Sequence, residues 1–477
     1  MTEHPTPRML IGGTWTAGSG GATLPVINPA TGETLTHLPV ATRAEIGAAL
    51  DAAEAGFRVW RAVPPIERAR ILAKGARRFR ERIDEVAMVI TLELGKPLAE
   101  SRAEVTLAAE HVEWAAQEAR RGYGQVIPAR DPGVLQYSVL EPVGPVAAFA
   151  PWNAPAITPA RKLGGALAAG CSVILKPAEE APSAALILAE SLLAAGVPDG
   201  ALNIVFGDPP LIGRTLAESP RIKGLTFTGS TAVGAELNRL AAPSMVRTTL
   251  ELGGHAPVII LGDVDVERVA RTAIPACLRN SGQVCTSPTR FLVHASVYDQ
   301  FLDTFVSAVE SLKVGDGRDP GTQMGPVATD RRLTALAEMT DDARTRGATV
   351  ATGGHRLGDT GTFWSPTVLT GVPADARAAT VEPFGPLKTV ARVDDLDEAL
   401  AEANRLPFGL ASYAWTHDSR AIARITDEME AGSVAVNSWK PSFPETPFGG
   451  FHLSGLGTEG GVEGVRAFQR LKYISRG

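Results

Sequence analysis

Gly224-Leu225-Thr226-Phe227-Thr228-Gly229-Ser230-Thr231-Ala232-Val233-Gly234 and, a short way on, Thr248-Thr249-Leu250-Glu251-Leu252-Gly253-Gly254 decide the fold. In the first stretch an apolar run enters a Gly-Ser turn and opens a helix. In the second a similar run ends on an acid followed by two glycines. Outward from this pair the same unit recurs: Val146–Ala150, Ser172–Leu175, Leu202–Phe206, Leu225–Thr228, Thr248–Leu252 and Val258–Leu261 are short apolar runs separated by helical segments. Such alternation predicts a parallel sheet covered by helices on both faces. Sheets of that kind bind ligands at the carboxyl ends of their strands. A second alternating block starts near Gly254, with strands at Phe291–His294, Val390–Val393, Ser412–Trp415 and Val434–Asn437. Its helices lie around Tyr298–Lys313, Arg331–Gly347 and Ala421–Glu430. The fold class is α/β.

Towards the N-terminus, Met9–Val40 reads as short strands and turns. Thr42-Arg43-Ala44-Glu45 is a capping box, and Ile46, Leu50, Phe57 and Trp60 continue it with helical spacing. A second helix runs from Pro65 towards Arg82, its arginines read as a solvated face. A third ends near Gly95 and a fourth spans Pro97–Arg121. Val134–Leu140 alternates as an exposed strand does. The tail from Phe448 is Gly-rich and becomes strand-like at Leu471–Ile474.

A chain of 477 residues exceeds one ordinary core and predicts two or three domains. Its 44% hydrophobic and 21% charged residues are those of a soluble globular protein. A formal charge of −6 argues against nucleic acid as a partner. Met1–Leu10 holds no apolar core of signal-peptide length, and Pro145, Pro151, Pro155 and Pro159 break the longest uncharged run, so no membrane span is expected. Cys171, Cys277 and Cys285 form neither a disulfide framework nor a metal-binding pair, which fits a reducing cytoplasm and leaves room for one reactive thiol.

Cys285 lies between Gly282 and Pro288 among loop formers, where a tight turn can expose a nucleophile. Taken alone it is equally well a buried structural cysteine, the reading that suits Cys171 and Cys277. Glu251 ends a strand and projects into the crevice. Partial burial there raises a carboxyl towards the range of a general base, although a surface glutamate fits the same pattern. Asn153, in Pro151-Trp152-Asn153-Ala154-Pro155, can donate its amide to a developing oxyanion. That is worth about 3–4 kcal/mol against about 1 kcal/mol for an Asx-turn bond. Gly229-Ser230 opens a helix whose N–H groups can meet a pyrophosphate. Lys176 and Glu179 end another strand, placed to grip ribose hydroxyls, and Glu179 would repel a 2′-phosphate.

Together these stretches resemble the aldehyde dehydrogenase superfamily. Asn-Pro-Ala-Thr-Gly at Asn28, Glu-Leu-Gly-Lys-Pro at Glu93, Pro-Trp-Asn at Pro151, Lys-Pro-Ala-Glu at Lys176 and Phe-Thr-Gly-Ser at Phe227 stand in the family's order. Glu-Leu-Gly-Gly at Glu251, Gly-Gln-Val-Cys at Gly282, Glu-Pro-Phe-Gly-Pro at Glu382 and Pro-Phe-Gly-Gly at Pro447 complete the series. The resemblance implies Cys285 as nucleophile and Glu251 as base for thioester hydrolysis. It implies Asn153 with the Cys285 N–H as oxyanion hole. Trp152, Lys176, Glu179, Gly229, Ser230, Leu252, Glu382 and Phe384 are then the cofactor residues. It also implies two parallel-sheet α/β domains and a β oligomerisation flap. The cofactor domain is 1–123 with 143–253, the catalytic domain 254–452, and the flap 124–142 with 453–477. The expected cofactor is NAD, with NADP as the alternative. The expected assembly is a homodimer or homotetramer.

Within the family, Glu113-Trp114, Glu118-Ala119-Arg120-Arg121 and Tyr123-Gly124 resemble the succinate-semialdehyde dehydrogenases. That subfamily holds the substrate's far carboxylate with two arginines and a serine, matched here by Arg161, Arg279 and Ser442. The implied activity is oxidation of a carboxylate-bearing semialdehyde, against the alternative of an uncharged aliphatic or aromatic aldehyde. Ser287 stands where the subfamily often has a second cysteine. Phe451-His452-Leu453 and Trp439-Lys440-Pro441 also depart from its pattern.

Overall fold

The computed structural model describes residues 4–477, so the first three residues of the Met1–Leu10 segment lie outside it. Five parallel strands centre the first sheet, in the spatial order Leu202–Ile204, Val173–Lys176, Val146–Phe149, Gly224–Thr228, Arg247–Glu251. Met9–Ile11 and Thr14–Thr16 extend one edge antiparallel, and Gly455–Leu456 closes the other. The chain leaves Val146–Phe149 towards one side and later returns to its other side as Gly224–Thr228. The order therefore reverses beside this strand, which opens a crevice at the carboxyl ends. Val146, Ala147, Ala148, Val173, Ile174 and Leu175 are all buried, which is why these runs read as continuously apolar rather than alternating.

Helices Arg43–Trp60 and Ile157–Ala169 pack on this sheet. The first begins at the expected capping box: Thr42 Oγ1 accepts the Glu45 N–H at 3.3 Å, and the Glu45 carboxylate accepts the Thr42 N–H at 2.8 Å. Loss of such a cap costs about 1 kcal/mol. The Arg-rich helix Pro65–Glu81 departs from its reading at one position. Arg70, Arg77 and Arg78 are exposed, but Arg68 is buried. Its Nε donates to Ala168 O at 3.3 Å and its Nη1 to Val63 O at 2.8 Å. A cation thus sits at the C-terminal end of Ile157–Ala169, where the helix dipole favours it.

The second sheet has the order Thr349–Thr352, Thr367–Thr370, Leu387–Val393, Pro288–His294, Ala256–Ile260, Ala411–Trp415, Ser433–Val436, parallel except at its first edge. Phe291 on a central strand meets Phe301 and Phe305 of helix Tyr298–Glu310, with ring centroids 5.6 and 4.9 Å away. The sequence reading passed over Thr349–Thr352 and Thr367–Thr370, which begin and end on threonine and carry only a two-residue apolar core.

A third sheet is antiparallel. Gln469–Arg476 pairs with Leu135–Pro142, and this with Val126–Ile127. The exposed strand and the strand-like tail read from sequence meet here. Among the described residues no helix is long and apolar enough to cross a membrane.

Candidate active site

Four of the five central strands of the first sheet deliver a candidate residue at the carboxyl end. Pro151-Trp152-Asn153 follow Val146–Phe149, Lys176 ends Val173–Lys176, Gly229-Ser230 follow Gly224–Thr228, and Glu251 ends Arg247–Glu251. The second sheet brings its loops to the same crevice. Asn153 Nδ2 donates to Gln283 O at 2.9 Å, two residues before Cys285. A methyl on Gly253 would lie 2.6 Å from Glu382 Oε2, and one on Gly254 would lie 3.0 Å from Cys285 O. Two glycines after Glu251 thus allow the Glu382 and Cys285 loops to close on the strand end.

The loop that carries Cys285 is strained and tightly held. Asn280, Ser281 and Gly282 are left-handed, with φ of 51°, 55° and 71°. Such a conformation costs an L-residue about 1–2 kcal/mol. It persists because many bonds fix it. The Asn280 N–H donates to Glu100 Oε2 at 2.8 Å and its Nδ2 to Asn153 O at 3.0 Å. Ser281 Oγ donates to Gly325 O at 2.8 Å. Tyr413 Oη donates to Thr286 O at 2.6 Å. Ser287 Oγ donates to Cys277 O at 2.9 Å and receives the buried Lys388 Nζ at 3.0 Å. Strain maintained by this many partners is typical of a functional turn. Cys285 itself is half-buried, whereas Cys171 and Cys277 are buried, as expected for structural thiols.

Burial pushes the Cys285 thiol up to about 12. The Glu382 carboxylate adds to the rise, the Arg161 charge opposes it, and Glu251 adds a little more. Burial also holds Glu382 up, at about 8, against the Gly254 N–H and the charges of Arg332 and Lys388. Glu251 is more buried than the partial burial expected of it, at 1% exposure, and neither carboxylate oxygen has a protein hydrogen-bond partner. Burial, then the charge of Glu459, raises it well above its ordinary value, with Lys162 and Arg161 opposing.

Behind Glu251 lies an ion pair that sequence reading missed. Lys162 Nζ, wholly buried, donates to Glu459 Oε1 at 2.6 Å and to Thr226 Oγ1 at 2.9 Å. A second buried pair, Lys96 with Glu104, explains the Glu-Leu-Gly-Lys-Pro stretch. Lys96 Nζ donates to Asn153 O at 3.3 Å, and Glu104 Oε1 accepts the Ala156 N–H at 2.9 Å. The Asn153 loop is therefore gripped from below.

Arg161 and Arg279 have no carboxylate partner among the described residues, so neither is a structural ion pair. The Arg161 guanidinium lies 4.4 Å from the centre of the Phe448 ring, and its Nε donates to His111 Nε2 at 3.2 Å. Its charge reaches both Cys285 and Glu251. Arg279 is exposed at the start of the strained turn, and its charge reaches Tyr413. Ser442 is half-buried in an irregular segment that meets Arg161 through Phe448, and no hydrogen bond ties it to either arginine. His452 is exposed and pairs with Glu430 at 3.0 Å. Trp439 packs its ring 5.7 Å from Tyr413 and 5.0 Å from Trp415 and donates to Thr272 Oγ1 at 3.1 Å.

The cofactor candidates line the other side. Lys176 Nζ and Glu179 Oε1 pair at 2.6 Å, and Glu179 Oε1 accepts the Gly207 N–H at 3.3 Å. Ser230 caps helix Thr231–Ala241 by position but makes no side-chain cap bond, which leaves its hydroxyl and the first N–H groups without a protein partner. Trp152 and Phe384 meet edge to face at 5.4 Å. Leu252 is buried, its N–H held by Ser454 O at 2.9 Å. Uncommitted donors at a helix start, an ion pair at a strand end and an edge-to-face aromatic pair next to Asn153 in the chain fit a dinucleotide. No cluster of metal-ligating side chains is present among the described residues.

Residues 15–474 match the model of the aldehyde dehydrogenase family, and the chain belongs to that family. It is an NAD(P)-dependent oxidoreductase acting on aldehydes. It is 44% identical to 4-(hydroxymethyl)benzenesulfonate dehydrogenase TsaD1 of Comamonas testosteroni, over 98% of each chain. Succinate-semialdehyde dehydrogenase [NADP(+)] GabD of Escherichia coli (strain K12) is 39% identical, over 98% of this chain and 97% of its own. The crystal structure of succinate-semialdehyde dehydrogenase from Burkholderia pseudomallei superposes with a TM-score of 0.96 at 41% identity, covering 98% of this chain and 97% of the other.

Proposed function

We propose that this enzyme oxidises a carboxylate-bearing semialdehyde, such as succinic semialdehyde, to the acid. Cys285 Sγ attacks the carbonyl carbon. The oxyanion is met by the Cys285 N–H and by the Asn153 Nδ2 proton not given to Gln283. A dinucleotide held in the slot would supply the acceptor for the hydride that leaves this carbon. The thiol proton is released as Sγ attacks, and collapse of the oxyanion to a carbonyl as the hydride departs leaves a thioester on Cys285. Glu251, as carboxylate, takes a proton from water. The resulting hydroxide attacks the thioester, the acid departs, and the Cys285 sulfur regains a proton. Lys176, Glu179, Gly229, Ser230 and Glu382 hold the dinucleotide, with Trp152, Leu252 and Phe384 shaping its slot.

The observation that carries the substrate assignment is Arg161 with Arg279. Arg161, half-buried with no ion-pair partner and pinned against an aromatic ring, is costly unless an anion arrives, and the exposed Arg279 can add a second guanidinium to that anion. Ser442 completes the receptor in this reading. The 44% identity to a protein named for a benzenesulfonate favours a second reading, an aromatic aldehyde bearing a sulfonate. Initial NADH formation with succinic semialdehyde, 4-formylbenzenesulfonate, butanal and benzaldehyde separates these. The semialdehyde is expected to lead in kcat/KM, with Arg161→Leu and Arg279→Leu each lowering that lead at least about tenfold, the worth of one charged hydrogen bond. Equal or better turnover of the uncharged aldehydes by wild type would remove the anion reading.

NAD is the proposed coenzyme, because the Glu179 carboxylate stands beside Lys176 where a 2′-phosphate would press. Glu179→Ser is expected to move the NADP/NAD ratio of kcat/KM towards NADP by about tenfold or more, since placing like charges side by side costs several kcal/mol. No movement would place the selectivity elsewhere. We further propose a homodimer or homotetramer built on the third sheet. Gln469–Arg476 is an edge strand that exposes Leu471 and Tyr473, and Val126 and Leu135 are exposed nearby. An uncovered apolar edge is a pairing surface. Light scattering on Leu471→Asp is expected to show a smaller particle than wild type, and a monomeric wild type would overturn the assignment.

A further inference from the structure

We propose that His111 fixes the direction in which Arg161 offers its charge, and so selects aldehydes whose anion docks end-on against the Nη1 and Nη2 edge. The proposal rests on the reading of Arg161 as anion receptor. A guanidinium can present either of two forks to an oxyanion, one from Nε with an Nη and one from the two Nη atoms. Here Nε is engaged: it donates to His111 Nε2 at 3.2 Å. Neither Nη has a hydrogen bond to a protein acceptor among the described residues. The side fork is therefore consumed and the end fork is free.

His111 is suited to this task. It is 4% exposed on helix Leu98–Glu118, which packs against the helix carrying Arg161. Burial and then the Arg161 charge hold its imidazole well below the usual range, so the ring stays neutral. Arginine offers no acceptor, so Nε2 must be the lone-pair nitrogen and Nδ1 carries the proton. The Phe448 ring, 4.4 Å from the guanidinium carbon, covers one face of the plane. Ring and imidazole together restrict both tilt and rotation. A flexible arginine loses much of its freedom when it clamps an anion. Here that loss has been taken at folding, which favours binding. His111 touches neither substrate nor the reacting atoms, and it acts as a positioning residue.

The test compares His111→Leu and His111→Gln with wild type on succinic semialdehyde and on butanal. Leucine keeps bulk and removes the acceptor, while the glutamine Oε1 can accept the Nε–H again. His111→Leu is expected to raise KM for the semialdehyde about tenfold. Its kcat is expected to stay within about threefold, and both constants for butanal are expected to remain as in wild type. His111→Gln is expected to recover most of the lost affinity. Equal losses on both aldehydes, or no recovery with glutamine, would show a packing role and overturn the proposal. Arg161→Leu is measured alongside. If it abolishes the semialdehyde preference while His111→Leu leaves it intact, His111 is excluded and Arg161 stands. If Arg161→Leu leaves the preference intact, the receptor reading falls and the His111 proposal with it.

Discussion

Cys285→Ser is expected to lower steady-state NADH formation by at least about 10⁴-fold, the scale seen when a nucleophile is removed. The reason lies in the surroundings as much as in the atom. Among the described residues no imidazole is bonded to Cys285: His255, which follows the Gly254 that abuts the Cys285 carbonyl, is buried, with Nδ1 bonded to Thr289 Oγ1 at 2.8 Å and Nε2 to Ala378 O at 3.2 Å. Only an intrinsically acidic and polarisable nucleophile works without a base, and a hydroxyl is neither. The free enzyme even disfavours the thiolate, since burial, Glu382 and Glu251 push the thiol up to about 12 against the pull of Arg161. Alkylation by iodoacetamide should therefore be slow at neutral pH, rise steadily with pH, and modify Cys285 before the buried Cys171 and Cys277. Above about pH 8, where Glu382 ionises, Glu382→Gln removes the largest opposing charge and should speed it. A Cys285→Ser enzyme with more than about 1% of wild-type activity would move the covalent step to another residue, judged against the loss above. Fast, pH-independent alkylation at neutral pH would overturn the electrostatic account while leaving the nucleophile in place.

The two sheets, the helices of the N-terminal half and the strand-end placement of Asn153, Lys176, Gly229 and Glu251 were legible because they follow from local pattern. An apolar run with a Gly-bearing turn after it says where a strand stops and which residue enters the crevice. Thr42 and Glu45 are three positions apart, and their capping box is present as read. What was not legible is long-range pairing of buried charge. Lys162 and Glu459 are 297 residues apart, and nothing near either announces the other. Glu459 stands in a Gly-rich tail and Lys162 beside Arg161, and no local pattern marks either as buried. His111 likewise sits in a helix of ordinary composition, and only the approach of a second helix turns it into the acceptor for Arg161. Arg68 failed for the same reason: its spacing matches a wet face, but the end of another helix takes its guanidinium. Local pattern places a residue on a face, and tertiary contact decides what that face meets.

Glu251→Gln is expected to separate the two halves of the reaction. Thioester formation needs Cys285 and the oxyanion donors, whereas hydrolysis needs a base. Loss of that base costs about 10²–10⁴-fold. Rapid mixing should show a burst of one NADH per active site, then turnover slowed by that factor. Hydroxylamine, which attacks a thioester without a base, should restore turnover. Loss of the burst together with turnover would place Glu251 before hydride transfer. The same substitution carries a stability signature. Glu251 is raised well above its ordinary value of 4.5 by burial first and the Glu459 charge second. A group raised in the folded state stabilises the fold fully below its unfolded value, and this contribution is lost as pH climbs towards the folded one. Wild type should therefore lose stability relative to Glu251→Gln as pH rises above about 4.5, the unfolded value of the acid. The glutamine amide is buried without partners and adds an offset, but it does not titrate, so the slope belongs to the carboxyl. Tm measured for both proteins between acid and neutral pH reads that slope directly. A Tm difference that stays constant across the range would mean that Glu251 ionises in the free enzyme as an ordinary carboxylate does. The general base would then be ready before substrate arrives rather than made so by it.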